Sequence, residues 1–219
     1  GAATLGIPDS AGVPEAIASQ TLVADYNDLA AVQAYCAAQG DEIAAVIVEP
    51  VVGNMGVIPP APGFLEGLRA VTADIGAVLI FDEVMTGFRP CYGGAQHHYG
   101  VTPDMTCLGK VVGGGVPVAA FGGSRAIMVH LAPLGPVYQA GTLSGNPLAV
   151  AGGLETLAIL TEPDSYERLD ALGARLESGL REAMQAASFP VSLNRFGSMW
   201  TLFFGVEAVQ NPGDARNCD

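Results

Sequence analysis

The stretch "IAAVIVEP", residues 43–50, and its counterpart "AVLIFDE", residues 77–83, decide the fold class. Each is a continuous apolar run, which is typical of a strand buried on both faces of a parallel sheet. Between them lies "GFLEGLRAVTADIG", residues 63–76, which has helical apolar spacing and a closing glycine. A strand, a helix and a second strand in this order predict an α/β fold with a mostly parallel sheet and flanking helices.

The same alternation extends to both sides of this unit. Upstream, we predict a short strand in "TLVADYN" (21–27) and a helix in "DLAAVQAYCAAQG" (28–40) that is capped by Asn27 or Asp28 and ends at Gly40. Downstream, we predict strands in "MTCLGK" (105–110) and "VPVAAFGG" (116–123), then a helix in "NPLAVAGGLETLAIL" (146–160) with Pro147 in its first turn.

The texture of the sequence changes near Glu162 and predicts two domains. Residues 1–161 form part of a large domain, in which residues 1–19, rich in Gly, Ala, Pro and Ser, form a loop. Residues 162–219 begin a smaller α+β domain, with a charged helix followed by two strand-like segments, and this domain is incomplete. Because the sequence lacks an initial methionine and ends in a polar run, we expect a fragment.

Composition excludes several classes of protein. The 219 residues are 50% hydrophobic, enough for a sizeable core, and none of the apolar runs reaches the roughly 18 residues of a membrane span. The formal charge of -13 repels phosphate backbones, so nucleic acid is not an expected partner. The four cysteines form no C-x-x-C pair and read as reduced thiols of a cytosolic protein. No third ligand accompanies His97 and His98, so no metal site is expected.

Polar residues follow three of the predicted strands, and one of them is the only lysine of the chain. Glu49 ends the first buried strand, Asp82 and Glu83 end the second, and Lys110 ends the next. Ligands of parallel sheets bind at the carboxyl ends of the strands, so these side chains predict a cofactor site. A desolvated lysine forms Schiff bases with carbonyls, and pyridoxal phosphate also needs a carboxylate at its ring nitrogen, a role that suits Asp82.

The phosphate of such a cofactor needs donors with little bulk. The stretch "QAGTLSGNP", residues 139–147, offers Thr142, Ser144 and backbone amides ahead of a helix.

Each of these features, taken singly, has a plainer interpretation. Lys110 fits a solvated charge at a strand end, and Asp82 or Glu83 fits a turn cap. Asn54 fits a turn residue that tolerates a left-handed backbone. It is the order and spacing of "FDEVMTGFR", "LGKVVGGG" and "AGTLSGNP" together that favour a site.

The chain resembles the glutamate-1-semialdehyde 2,1-aminomutase family, within the class III aminotransferases, along nearly its whole length. The resemblance rests on "VEPVVGNMGVIPPAPGFLEGLR", "LIFDEVMTGFR", "YGGAQHHYGVTPDMTCLGKVVGGGVPVAAFGG" and "GPVYQAGTLSGNPLAVAGG". It implies the large domain of a fold-type I pyridoxal phosphate enzyme. It also implies that Lys110 forms the Schiff base and shuttles protons, that Asp82 pairs with the ring nitrogen, that Val84 packs against the ring, and that Asn54 lies near the phenolic oxygen.

The resemblance implies a homodimer in which Thr142 reaches the cofactor phosphate of the neighbouring subunit, and a mobile segment at residues 1–19 that closes over the substrate. The implied reaction converts glutamate-1-semialdehyde to 5-aminolevulinate, the precursor of tetrapyrroles, through the pyridoxamine form of the cofactor. The implied location is the cytoplasm, or the plastid stroma in a photosynthetic eukaryote. Another class III ω-aminotransferase, or a non-catalytic dimerisation module, are the alternatives. Several groups of the family's site lie outside this sequence, so the 219 residues alone are expected to be inactive.

Overall fold

The computed structural model describes residues 11–218. The helices are α1 (Glu15–Ala18), α2 (Leu29–Gln39), α3 (Phe64–Ile75), α4 (Gly94–Tyr99), α5 (Arg125–Met128), α6 (Pro147–Leu160), α7 (Ser165–Gln185) and α8 (Pro212–Arg216). The strands are β1 (Ala45–Val48), β2 (Val78–Glu83), β3 (Met105–Leu108), β4 (Ala120–Gly123), β5 (Val191–Phe196) and β6 (Met199–Phe204). Residues 1–10, which carry much of the predicted closing segment, lie outside the described part.

The main sheet has the order β1-β2-β3-β4. β1 and β2 pair in parallel, as do β2 and β3, which confirms the mostly parallel sheet inferred from the apolar runs. β4 runs antiparallel to β3, so the alternation of elements did not predict its direction. The second sheet is the antiparallel pair β5-β6, in which Leu193 faces Leu202.

Local signals set the helix ends. The Asp28 side chain accepts a hydrogen bond from the Ala31 N–H, and α3 ends at Gly76 in a left-handed conformation (φ 73°). Asn146 caps α6 by accepting from Leu148 N–H and Ala149 N–H. The predicted ending of α2 at Gly40 is confirmed, since the helix ends at Gln39 with Gly40 at its C-cap; Gly40 has a right-handed backbone (φ -55°) and begins a 3₁₀ turn.

The predicted strand at residues 21–27 is also wrong. This segment forms coil and turn, because two of its side chains act as anchors to distant backbone. The buried Tyr26 hydroxyl donates to Pro50 O at 2.9 Å. The Asn27 amide, at φ 70°, donates to Pro59 O and Gln210 O and accepts from Ala61 N–H.

One hydrophobic cluster joins the main sheet to the segment after residue 190. It packs buried residues of α3 and β2 against the end of β6 and the segment that follows. The cluster consists of Tyr26, Val52, Ile58, Phe64, Leu65, Leu68, Leu79, Phe81, Val101, Phe203 and Val209. The carboxyl edge of the main sheet is therefore held on one face by a shared core, while the division into two domains at residue 162 stays a prediction.

Candidate active site

The carboxyl end of β2 presents two acidic residues on opposite faces of the sheet. Alternate residues of β2 are fully buried, and these are Leu79, Phe81 and Glu83. Asp82 points to the other face and is half-buried. Its Oδ1 accepts a hydrogen bond of 3.0 Å from the Val84 N–H, which orients the carboxylate at the strand end.

Lys110 lies at the same edge of the sheet, at the end of the neighbouring strand. Asp82 is in register with Cys107 on β3, and Lys110 follows three residues later. Lys110 has a left-handed backbone (φ 49°) and begins the 3₁₀ turn Lys110–Gly113. Its side chain is exposed in the described chain.

Two contacts tie the ends of β2 and β3 together. A Cβ at Gly109 would lie only 3.2 Å from Val84 Cγ1, so Val84 packs directly beside the residue that precedes Lys110. Burial and then the charge of Asp82 raise the pKa of the Cys107 thiol. Val84 therefore packs against the end of β3, and Asp82 lies close enough to Cys107 to influence its pKa.

Asn54 joins this edge through a loop. Its Nδ2 donates to Glu49 Oε1 at 3.0 Å, and the other oxygen of Glu49 accepts from Gly53 N–H at 2.8 Å. A Cβ at Gly53 would lie 2.8 Å from Met85 Cγ, so the loop touches the residue after Val84. Asn54 itself is exposed, and Glu49 at the end of β1 fixes its direction.

Thr142 comes from a different segment of the chain. It is exposed, in the turn that precedes α6, and it connects to the edge through the body of that helix. A Cβ at Gly153 would lie 2.7 Å from Val112 O, so α6 packs closely on the turn that begins at Lys110. The structure thus places Asp82, Val84 and Lys110 at neighbouring strand ends, links the loop of Asn54 to them, and places Thr142 in the exposed turn before α6.

The sequence did not reveal the roles of two acidic residues. Glu83 is fully buried and accepts hydrogen bonds from four donors, and Glu49 orients Asn54. Strand alternation was a usable signal, since it places Asp82 and Glu83 on opposite faces and requires partners for the buried one. The identity of those partners depends on α4, which lies eleven or more residues further along the chain.

The chemistry of these groups fits pyridoxal phosphate. A primary amine and a carboxylate stand at adjoining strand ends, and the aliphatic side chain of Val84 packs beside Gly109, which precedes the lysine. Within residues 11–218, no three His, Cys, Asp or Glu side chains are grouped to hold a metal ion. In the same range, none of the helices is long and apolar enough to cross a membrane.

Comparison with known proteins identifies the family. The model of the class III aminotransferases matches residues 3–215. The chain belongs to the class III aminotransferase family. Membership confirms the resemblance and the α/β fold class inferred from the sequence.

The named relatives lie in the aminomutase branch of the family. The chain is 58% identical over 219 residues to glutamate-1-semialdehyde 2,1-aminomutase 2 of Brevibacillus brevis, covering 100% of this chain and 51% of that protein. It is equally identical, at 58%, to the glutamate-1-semialdehyde 2,1-aminomutase of Pelotomaculum thermopropionicum, of which it covers 50%. The chain therefore spans about half the length of the curated relatives it matches.

Solved structures of the family superpose well on the chain. An omega-transaminase from Sphaerobacter thermophilus matches with a TM-score of 0.87 at 36% identity, over 96% of this chain and 48% of that one. A variant glutamate-1-semialdehyde aminomutase from Pseudomonas aeruginosa, in complex with PMP, matches with a TM-score of 0.82 at 32% identity, over 97% and 49% of the two chains.

Proposed function

We propose that this chain is the lysine-bearing part of a glutamate-1-semialdehyde 2,1-aminomutase that uses pyridoxal 5'-phosphate to form 5-aminolevulinate, a step of tetrapyrrole biosynthesis. The placement of Lys110 and Asp82 at adjoining strand ends, with Val84 packed on Gly109 between them, carries the proposal. The 58% identity to relatives of that name supports this choice of reaction.

The residues of the edge divide the work as follows. Bound pyridoxal phosphate supplies an electron sink for the substrate carbon that loses a proton. Lys110 holds the cofactor through Nζ and, when released, carries the proton between carbon atoms. The negative charge of Asp82 favours the protonated ring nitrogen, since an opposite charge nearby stabilises the charged form. Val84 would pack on the ring, and Asn54, which Glu49 orients, would lie beside the phenolic oxygen.

The proposal extends to the assembly. Thr142 is exposed in the described chain, which suits a hydroxyl that binds the cofactor phosphate of the neighbouring subunit in a homodimer. The chain divides into domains near residue 162. The protein acts in the cytoplasm, or in the plastid stroma of a photosynthetic eukaryote; its described cysteines are all free thiols.

The experiment uses the complete gene product that contains these residues. It is loaded with pyridoxal phosphate, reduced with borohydride and digested, and the modified peptide is identified by mass spectrometry. The expected result is one phosphopyridoxyl group on Lys110 and none on the Lys110→Ala variant. A folded wild-type protein without the label would overturn the cofactor assignment and the roles given to Asp82, Val84, Asn54 and Thr142.

A second candidate function is transfer of an amino group between an ω-amine and a keto acid. The TM-score of 0.87 to an omega-transaminase favours this alternative. Turnover of glutamate-1-semialdehyde without added keto acid distinguishes the two, because isomerisation needs neither an external donor nor an acceptor. If the cofactor-loaded, unreduced protein converts the semialdehyde only when an amine and a keto acid are supplied, the transaminase is the correct assignment.

A further inference from the structure

Glu83 is a fully buried carboxylate beside the candidate site. Its relative exposure is 0%, and it follows Asp82 directly. None of the ion pairs found among residues 11–218 includes Glu83. Burying a carboxylate without a cation is costly unless its oxygens accept several hydrogen bonds. The hydrogen-bond partners of Glu83 therefore indicate its role.

Four donors from three residues satisfy the Glu83 carboxylate. Oε2 accepts from Thr86 Oγ1 at 2.9 Å and from the Ala95 N–H at 2.6 Å. Oε1 accepts from the backbone N–H of Gln96 at 3.1 Å and from its Nε2 at 3.0 Å. Both oxygens therefore have two partners, and the two backbone donors belong to α4.

The network also reaches β3 and the turn after β2. Gln96 Nε2 donates to Thr106 Oγ1 at 3.2 Å, and Thr106 lies on β3, four residues before Lys110. The backbone oxygen of Glu83 accepts from the Gly87 N–H at 2.7 Å. The Glu83 carboxylate thus bonds directly to Thr86 in the turn and to α4, and it reaches β3 through Gln96.

The fastened residues are those that place the candidate cofactor groups. Asp82 precedes Glu83 and projects from the opposite face, and its Oδ1 accepts from Val84 N–H within the same turn. Val84 packs on Gly109, next to Lys110. A displacement of Glu83 would therefore move Asp82 and Val84 relative to the lysine.

We infer that Glu83 is a positioning residue, which holds Asp82 and Val84 in line with Lys110 from the far face of the sheet. The inference rests on the proposed function, since it concerns the ring nitrogen that Asp82 would contact. Glu83 touches neither substrate nor cofactor in this role. It acts only through the backbone that it shares with its neighbours and through its bonds to α4 and β3.

The test is a pH titration of the absorbance of bound pyridoxal phosphate in the complete gene product. In Glu83→Gln, an amide NH₂ replaces an oxygen that faces donors, so the network loses acceptors. If Asp82 moves away from the ring nitrogen of the bound cofactor, the cofactor ring would carry less positive charge. The nitrogen that links the cofactor to Lys110 would then keep its proton up to a higher pH. We expect the midpoint to rise by about one pH unit.

A matched control separates positioning from stability. Asp104 lies just before β3, at the other end of the same two strands, and accepts from Leu79 N–H at 2.8 Å and from Arg69 at 2.9 Å. Asp104→Asn should weaken the fold and leave the midpoint unchanged. Gln96→Met is the milder variant, because it removes the link to β3 and keeps both backbone donors, and it should shift the midpoint in the same direction.

The outcomes distinguish the two proposals. Borohydride labelling of Lys110 in wild type and in both site variants, with a shifted midpoint only when Glu83 or Gln96 is changed, supports the inference. Labelling with a midpoint equal to that of Asp104→Asn overturns it and leaves the proposed function intact. If Glu83→Gln does not fold, the result for Gln96→Met decides. Absence of the label in wild type overturns the proposed function, and the inference with it.

Discussion

Replacing Gly94 with alanine tests how tightly α4 is fitted to Glu83. Gly94 has φ +69°, and a Cβ at this position would overlap the Oε2 atom of Glu83. Gly100, at the other end of the same helix, has φ +68°, and nothing lies within 4 Å of a Cβ built there. The two glycines share the backbone conformation and differ in the contact, so Gly100→Ala is the control.

The expected losses follow from these two terms. An alanine in the left-handed region costs about 1 kcal/mol at either position. At Gly94 the carboxylate must also withdraw, which weakens its bonds to Thr86 and Ala95. Hydrogen bonds to a charged group contribute about 1.5–3 kcal/mol each, so the partial loss of two adds about 3 kcal/mol. Gly94→Ala should therefore lower the free energy of unfolding by about 4 kcal/mol and Gly100→Ala by about 1 kcal/mol.

Urea unfolding with linear extrapolation measures both values. A second comparison uses the Glu83→Ala background, in which the carboxylate is absent and Gly94→Ala should cost no more than Gly100→Ala. Equal losses for the two glycines in the wild-type background would refute the reasoning, because the contact with Glu83 would then have no energetic consequence. A full-size loss at Gly94 after removal of the carboxylate would show that some other contact is responsible.

Three further predictions concern stability. The hydrogen bond from Arg181 and its charge, together with the charge of Arg195, lower the pKa of Glu177 from 4.5, so the contribution of Glu177 to stability is present above pH 4.5 and is lost as the pH falls through the lowered value. The difference in stability between wild type and Glu177→Gln, followed by thermal unfolding, should therefore vanish in acid. A difference that persists in acid contradicts the assignment. Burial, and then the charges of Tyr99 and Glu49, raise the pKa of Tyr26 above 10.0, so the contribution of Tyr26 to stability is complete below pH 10 and declines above it. In Tyr26→Phe the loss of stability at alkaline pH should be smaller than in wild type. An unchanged loss would exclude Tyr26 as its source. Thr201 Oγ1 accepts a hydrogen bond from Val57 N–H at 3.0 Å. Thr201→Val should therefore lower the free energy of unfolding in urea by about 1–3 kcal/mol, and Thr201→Ser by clearly less. Equal losses would rule out the hydrogen bond as the cause.

The parallel part of the main sheet was predictable because continuous apolar runs are typical of parallel strands, although the burial expected on both faces is wrong for β1 in the described chain, where Ala45 and Ile47 are exposed. The apolar runs of β1 and β2 admit few interpretations, and Gly76 marks the end of the helix between them. The segment at residues 21–27 has an equally good strand composition. However, the side chains of Tyr26 and Asn27 donate hydrogen bonds to backbone oxygens, those of Pro50, Pro59 and Gln210. Those partners are tertiary, so local pattern gives no sign of them.

The direction of β4 was unpredictable for a similar reason. Apolar character predicts a strand and says nothing about which way it runs beside its neighbour, and β4 itself is mostly exposed in the described chain. The connection from β3 to β4 contains the 3₁₀ turn Lys110–Gly113 and two glycines with positive φ, Gly114 and Gly115, which allow the chain to reverse. The same turn places Lys110, so the reversal of the chain and the placement of the lysine have one structural origin.

The candidate site was predictable where it depends on strand ends and unpredictable where it depends on α4. Asp82 and Lys110 could be placed on one edge because parallel strands end together. Glu83 differs from Asp82 by one position and one methylene, yet the pleat sends it to the opposite face, among donors from α4 and β3. Asp82 faces the candidate site and Glu83 is held by hydrogen bonds on the opposite face, and those bonds give the Asp82 carboxylate a fixed direction. The double variant Asp82→Glu, Glu83→Asp would keep both charges but shorten the buried side chain by one methylene. The hydrogen bonds from Ala95 and Gln96 to the buried carboxylate should therefore be lost first.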